Sequence, residues 1–192
     1  MSKTSILSDG DEILEVVDEK GDVLKLAKRS EIHCDPSLIH RVVHVLVFDN
    51  KDRLLLQKRS LNKDVAPGKW DTSVGGHVNP AEDILEAAKR EMKEELGISD
   101  CRLEYLYTYL FTNHIESELV STFSCQYNGK FFFNKDEIDE IAFWDMKKIK
   151  ENLGKNVFSG HFEKEISAFF KRQTRKKSSY PRRRVSRADT TT

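Results

Sequence analysis

The chain has 192 residues, 32 basic against 32 acidic, with 38% hydrophobic residues and eleven phenylalanines, a length and composition suited to one compact core. No stretch approaches the ~20 apolar residues needed to span a bilayer. The opening MSKTSILSDGDEILE lacks a basic segment followed by an apolar one, so the expectation is a soluble, cytoplasmic protein with no membrane partner. Three cysteines, Cys34, Cys101 and Cys125, are odd in number and show no CxxC spacing, which argues against a disulfide framework and a zinc knuckle.

In chain order, EILEVVDE and DVLKLAKR read as a hairpin turning at Lys20 and Gly21, an N-terminal extension over residues 12–28. RVVHVLVFD and RLLLQKRS follow as strands joined by a turn at Asn50 to Asp52. Between Gly76 and Ile98 the chain carries a helix, with Asn79 as its cap, Pro80 at its first position, Glu82 completing a capping box and Gly97 as a left-handed stop. LEYLYTYLFT, ELVSTFSCQY and EIAFWD read as further strands, Phe131 to Phe133 as core, and MKKIKENL and HFEKEISAFFKR as helices. This order predicts an α/β fold, a mixed sheet covered by helices, in one domain over residues 1–170.

Residues 171–192 carry nine basic side chains against Asp189, a net charge of 9 − 1 = +8, which leaves 23 − 31 = −8 on the remainder. Such a segment cannot bury a core and is expected to stay a solvated, disordered tail. Its charge is the one hint of a nucleic-acid partner, and without interleaved aromatics nucleic acid is not the expected partner. A homodimer is compatible with the sequence, which carries no oligomerisation signal.

The chemistry concentrates in the helix after Gly76. At about 100° per residue, Glu91, Glu94 and Glu95 share an arc of roughly 100°, separate from an apolar stripe of Leu85, Ala88, Met92 and Leu96. Like charges at i,i+3 and i,i+4 repel by a few tenths of a kcal/mol per pair, a cost that a divalent cation reverses. Mg²⁺ takes such carboxylates together with substrate phosphates, which points to a phosphate-containing substrate.

GHVNPAEDILEAAKREMKEELGI resembles the Nudix box, with Gly76, Glu82, Arg90, Glu91, Met92, Glu94, Glu95, Gly97 and Ile98 at its defined positions. The resemblance implies an α/β/α sandwich and a hydrolase that splits a nucleoside diphosphate linked to another moiety, or a related small-molecule diphosphate. It assigns Mg²⁺, with Mn²⁺ as substitute, to Glu91, Glu94 and Glu95. It has Arg90 orient a glutamate, Glu82 act from behind, and the loop through Gly75 and Gly76 bring backbone close to metal and diphosphate.

Residues 12–165 are also similar to type I isopentenyl-diphosphate isomerase, itself of Nudix fold. His33, His40, His77, Glu116 and Glu118 match that enzyme's metal ligands, which implies a second divalent cation. Arg59 and Lys63 match positions that grip its diphosphate, and Glu95 matches a further shared acidic position. Two departures favour hydrolysis. The isomerase's catalytic cysteine falls on Gly75, and its cation-covering tryptophan corresponds to Asn156. The expectation is therefore a hydrolase on an isomerase-like chassis, with isomerase and noncatalytic diphosphate binding as alternatives. Glu94, Glu118, Glu137 and Glu140 all stand as candidate general bases. His44 reads as structural, and His114 and His161 have no assigned part.

Overall fold

A computed structural model describes residues 12–63 and 65–178, with side chains described through Thr174. The expected hairpin is present as β1 (Ile13–Val17) and β2 (Val23–Lys28), followed by a single helical turn, α1 (Arg29–Ile32). The long apolar segments form β3 (Ile39–Phe48) and β4 (Leu54–Arg59), and two short strands, β5 (Trp70–Asp71) and β6 (Val74–His77), lead into α2 (Ile84–Leu96). Then come β7 (Glu104–Thr112), β8 (Ser117–Gln126), β9 (Ile138–Trp144), α3 (Met146–Asn152) and α4 (Gly160–Ser178).

β3 is the hub of the mixed sheet. It runs parallel to β8 from Ile39↔Ser117 to Phe48↔Gln126 and antiparallel to β6, and its first residues pair with β1. β7 lies outside β8, while β4 carries β5 and β9. β3 and β4 pair only at Phe48↔Leu54. Ser73 holds them together further along, accepting from the Val47 N–H at 2.9 Å and donating to the Leu55 carbonyl at 2.5 Å.

Strand alternation sends Val43, Val45 and Val47 to one face, where they meet Ala87, Ala88, Met92 and Leu96 of α2. Leu46 points to the other face, joining Leu54, Leu56 and Trp144 against Ile149 of α3 and Phe162, Ile166 and Phe169 of α4. The result is helices on both sides of a sheet, the expected α/β/α sandwich. Among the described residues no helix is long and apolar enough to cross a membrane.

Four expectations need correction. α2 starts at Ile84, capped by Asp83, whose carboxylate accepts from Leu85 N at 2.8 Å and Glu86 N at 3.4 Å. Asn79 and Glu82 instead close a preceding turn: Asn79 N donates to Glu82 Oε2 at 2.9 Å and Glu82 N to the Asn79 carbonyl at 3.0 Å. Ala81, at a left-handed φ of 60°, sits in that turn and donates its N–H to Glu15. Arg90 holds this arrangement by donating to both Glu82 oxygens at 2.9 Å.

Phe131 and Phe133 pack on the α2 side as expected, but Phe132 is 70% exposed and lies over Gly97. α4 continues through Ser178, so residues 171–178 are helical rather than part of a disordered tail. Residues 179–192, the rest of that tail, lie outside the described residues. Asn156 makes a turn at φ 60° and accepts from Lys69 through its carbonyl; it does not cover the cavity, and His161 stands there instead.

Candidate functional site

A cavity of ≈ 330 Å³ opens where β6, the start of β3, β8 and the N-terminal end of α4 converge. Its first wall is built from histidines. The rings of His33, His40 and His77 stand with centroids 5.0, 5.2 and 5.3 Å apart, although they come from α1's end, β3 and β6. The parallel register sets His40 beside Glu118 of β8, and Glu116, one residue before the strand, joins it at the same end. Two sets, His33/His40/His77 and His40/Glu116/Glu118, each bring their donor atoms within 4.8 Å of one another.

The electrostatics of this wall suit a cation. Burial pushes the His40 imidazole down to about 4, so the ring is neutral at physiological pH, and neither ring nitrogen has a hydrogen-bond partner. Glu116 would be raised by its burial, but the facing His161 and His33 outweigh that and hold the carboxyl well below its ordinary range. Nε2 of His33 is likewise buried without a hydrogen-bond partner, while Glu116 faces His33 Nδ1 at 3.0 Å and Glu118 faces His161 at 3.4 Å. Buried ring nitrogens of His33 and His40 left without a partner beside two carboxylates are costly unless a ligand satisfies them.

The second wall is the glycine loop of β6 and the side of α2. A Cβ built on Gly76 would collide with the Glu91 carboxylate, so only glycine lets the loop lie on it. Arg90 grips Glu82 through both oxygens at 2.9 Å, reaches Glu91 at 2.6 Å and Glu94 at 3.3 Å, and donates to the His77 carbonyl at 2.9 Å. Arg59 and Lys63 line the opposite rim, held by the Val65 carbonyl, Asp71 and Glu137.

A NUDIX domain family model matches residues 38–164. The chain belongs to the Nudix family. Relatives of this Nudix chain include an "uncharacterized Nudix hydrolase" of Yersinia pestis, 34% identical over 131 residues, 68% of this chain and 71% of the relative. An isopentenyl-diphosphate Δ-isomerase of Streptomyces avermitilis is 33% identical over 163 residues, 81% of this chain and 82% of that enzyme. A solved structure from Deinococcus radiodurans superposes with a TM-score of 0.72 at 20% identity, covering 82% of this chain and 98% of that one, a likeness of fold. The MutT protein of Methanosarcina mazei Go1 gives a TM-score of 0.59 at 26% identity, covering 74% and 96%.

Within this Nudix fold the two predicted ligand sets fare differently. His33, His77, Glu116 and Glu118 line the cavity and His40 lies directly behind them. Gly75, Gly76, Arg59, Lys63 and Glu91 line it too. Glu94, with a side chain 58% exposed, faces outward, and Glu95 sits half-buried below the rim, accepting from Gln57 at 3.0 Å. The three box glutamates thus share a helix face without converging, and none belongs to either of the metal-capable groups among the described residues. Burial, reinforced by the Glu91 charge, pushes the Glu95 carboxyl up to about 8. Of the remaining base candidates, Glu118 and Glu137 reach the cavity and Glu140 does not.

His161 is the residue that sequence reasoning missed. Its Nε2 stands 3.5 Å from Glu116 and 3.4 Å from Glu118, and its ring packs on Phe111 at 4.1 Å. Burial alone would lower it, but these two carboxylates push it up to about 10. A signal was available: His161 and Glu165, four apart at the start of α4, are polar positions beside the apolar Phe162, Ile166 and Phe169.

Proposed function

We propose that the protein is a Mg²⁺-dependent hydrolase that cleaves the diphosphate linkage of a nucleoside-diphosphate-type or related organic diphosphate. The observation that carries this reading is one cavity holding Glu91, Glu116 and Glu118 opposite Arg59 and Lys63. Such a cavity offers oxygen ligands to a hard cation on one side and positive charge to phosphate oxygens on the other. Glu91 and, after local rearrangement, Glu94 and Glu95 would hold Mg²⁺; Mn²⁺ suits the mixed histidine and carboxylate set. Bound there, a divalent ion supplies charge neutralisation on the phosphoryl oxygens and a more acidic water.

The chain's own residues do the rest. Arg90 fixes Glu91 against the glycine loop, so that the carboxylate does not need to be ordered when substrate arrives. Arg59 and Lys63 orient the diphosphate. Glu118, buried and facing the cavity, would take a proton from an attacking water, with Glu91 of the second wall a further cavity carboxylate.

The assembled His33/His40/His77/Glu116/Glu118 set favours isomerisation of an allylic diphosphate as the second reading. It lacks the sulfur that the resemblance requires: Gly75 occupies that position, and none of Cys34, Cys101 and Cys125 lines the cavity. Incubating the full chain with Mg²⁺ or Mn²⁺ and a panel of nucleotide sugars, dinucleotides, nucleoside triphosphates and prenyl diphosphates separates the readings. Released phosphate products support the hydrolase, and an isomer formed without phosphate release replaces it.

A further inference from the structure

Beneath Gly75 lies a polar cluster that the proposed chemistry does not use. Glu165 of α4 is fully buried, yet its carboxylate accepts from four side chains: His44 Nδ1 at 2.8 Å, the Tyr107 hydroxyl at 2.5 Å, the Tyr109 hydroxyl at 2.9 Å and Thr122 Oγ1 at 3.0 Å. Its burial would raise the carboxyl, but His44 and the two tyrosines outweigh that and keep it ionised. Accepting from Nδ1–H fixes the ring orientation of His44. The other edge of the imidazole then faces the cavity: a Cβ on Gly75 would meet His44 Cδ2 at 3.1 Å and Nε2 at 3.3 Å, and His44 is one of the cavity's lining residues. An imidazole oriented by a buried carboxylate, with its free nitrogen directed at a reaction cavity, has the geometry of an acid–base pair.

We propose that His44 is the proton donor to the leaving group, and that Glu165 is its positioning residue; the inference rests on the hydrolase reading of the same cavity. In the step, the attacking water forms a new P–O bond and gives its proton to a cavity carboxylate. The bridging P–O bond breaks with its electron pair on the departing oxygen, which takes the Nε2 proton of His44; the ring enters this step doubly protonated, its Nδ1–H held on Glu165, and leaves it neutral. The carboxylate's proton returns to the imidazole through solvent, so that one water is consumed. A side chain at Gly75 would crowd this edge of the ring, its Cβ 3.1 Å from Cδ2 and 3.3 Å from Nε2.

The test is ¹⁵N-histidine NMR of the full chain, titrated with methylenediphosphonate and Mg²⁺, alongside turnover of whichever diphosphate the substrate panel identifies. The expected result is that the His44 Nε2 resonance moves on binding while its Nδ1–H stays bonded, and that Glu165→Gln, folded but with a lower melting temperature than wild type, loses the bonded Nδ1–H signature. In turnover, His44→Gln is expected to lower kcat at least tenfold with KM within twofold. If His33, His40 and His77 shift while His44 stays still, or if His44→Gln keeps wild-type kcat, the proposal is overturned and the hydrolase reading survives. If no histidine moves, the diphosphate reading fails and the role of His44 falls with it.

Discussion

Gly76→Ala isolates the contact on which the acidic wall depends. The new Cβ would stand 2.5 Å from Glu91 Oε2 and nearer still to the other two carboxylate atoms, against an ordinary contact of 3.4 Å, so even the farthest atom must retreat by 3.4 − 2.5 = 0.9 Å. Backbone cannot easily yield, because Gly76 is paired with Val43 in the sheet. The carboxylate therefore moves, and with it the Arg90–Glu91 pair at 2.6 Å. Weakening one charge-assisted hydrogen bond costs about 1.5–3 kcal/mol, and a displacement of about 1 Å in a reactive constellation costs on the order of 10²-fold in rate. Calorimetric Mg²⁺ titration, scanning fluorimetry and turnover on the same preparations read the three effects. The expected variant is folded, binds Mg²⁺ more weakly and turns over about 10²-fold more slowly. Turnover within threefold of wild type, with the Mg²⁺ midpoint unmoved, would refute the claim that this close approach positions Glu91.

Arg90→Gln removes the clamp on Glu82, Glu91 and the His77 carbonyl; we expect a loss of about 2–3 kcal/mol, or roughly 4–12 °C in melting temperature, measured by scanning calorimetry. Glu95, pushed up to about 8 by burial and by Glu91, must lose a proton to bind a cation. Mg²⁺ affinity should therefore rise with pH up to about 8 in the wild type and flatten in Glu95→Gln. Glu165 lies below its ordinary 4.5 in the folded chain, so its contribution to stability is present above that value and is lost as pH falls beneath it. Urea titrations from pH 6 downward should show wild type losing stability faster than Glu165→Gln. His40→Ala should abolish Mn²⁺ binding at the histidine set, read by electron paramagnetic resonance, while Mg²⁺ affinity at Glu91 changes little.

Much of this was legible because strand and helix periods differ. Val43, Val45 and Val47 against His44 and Leu46 declare a two-sided strand, and Ala88, Met92 and Leu96 declare the buried stripe of α2. The helix start was misread for a tertiary reason. Asn79 and Pro80 carry good local capping chemistry, but Arg90 and Glu15 capture the Asn79–Glu82 turn, and Asp83 caps instead. Likewise the arc shared by Glu91, Glu94 and Glu95 follows from helix geometry, whereas their divergence follows from what each meets: Gly76, solvent and Gln57. His44, His161 and Glu165 stayed hidden because their partners lie 43 to 121 residues away in sequence, beyond any local motif.

The hairpin and α1 carry a consequence for where this domain can be cut. Glu12 holds His77 Nδ1 at 3.0 Å, Glu15 pairs with Arg41, and His33 supplies one ring of the histidine wall, yet all three precede residue 38, where the family match begins. A fragment trimmed to the matched segment would lose His33 and the glutamates that hold His77 and Arg41, one side of its own reaction vessel. Swapping that segment between relatives would carry most of the cavity's side chains and leave His33, Glu12 and Glu15 behind.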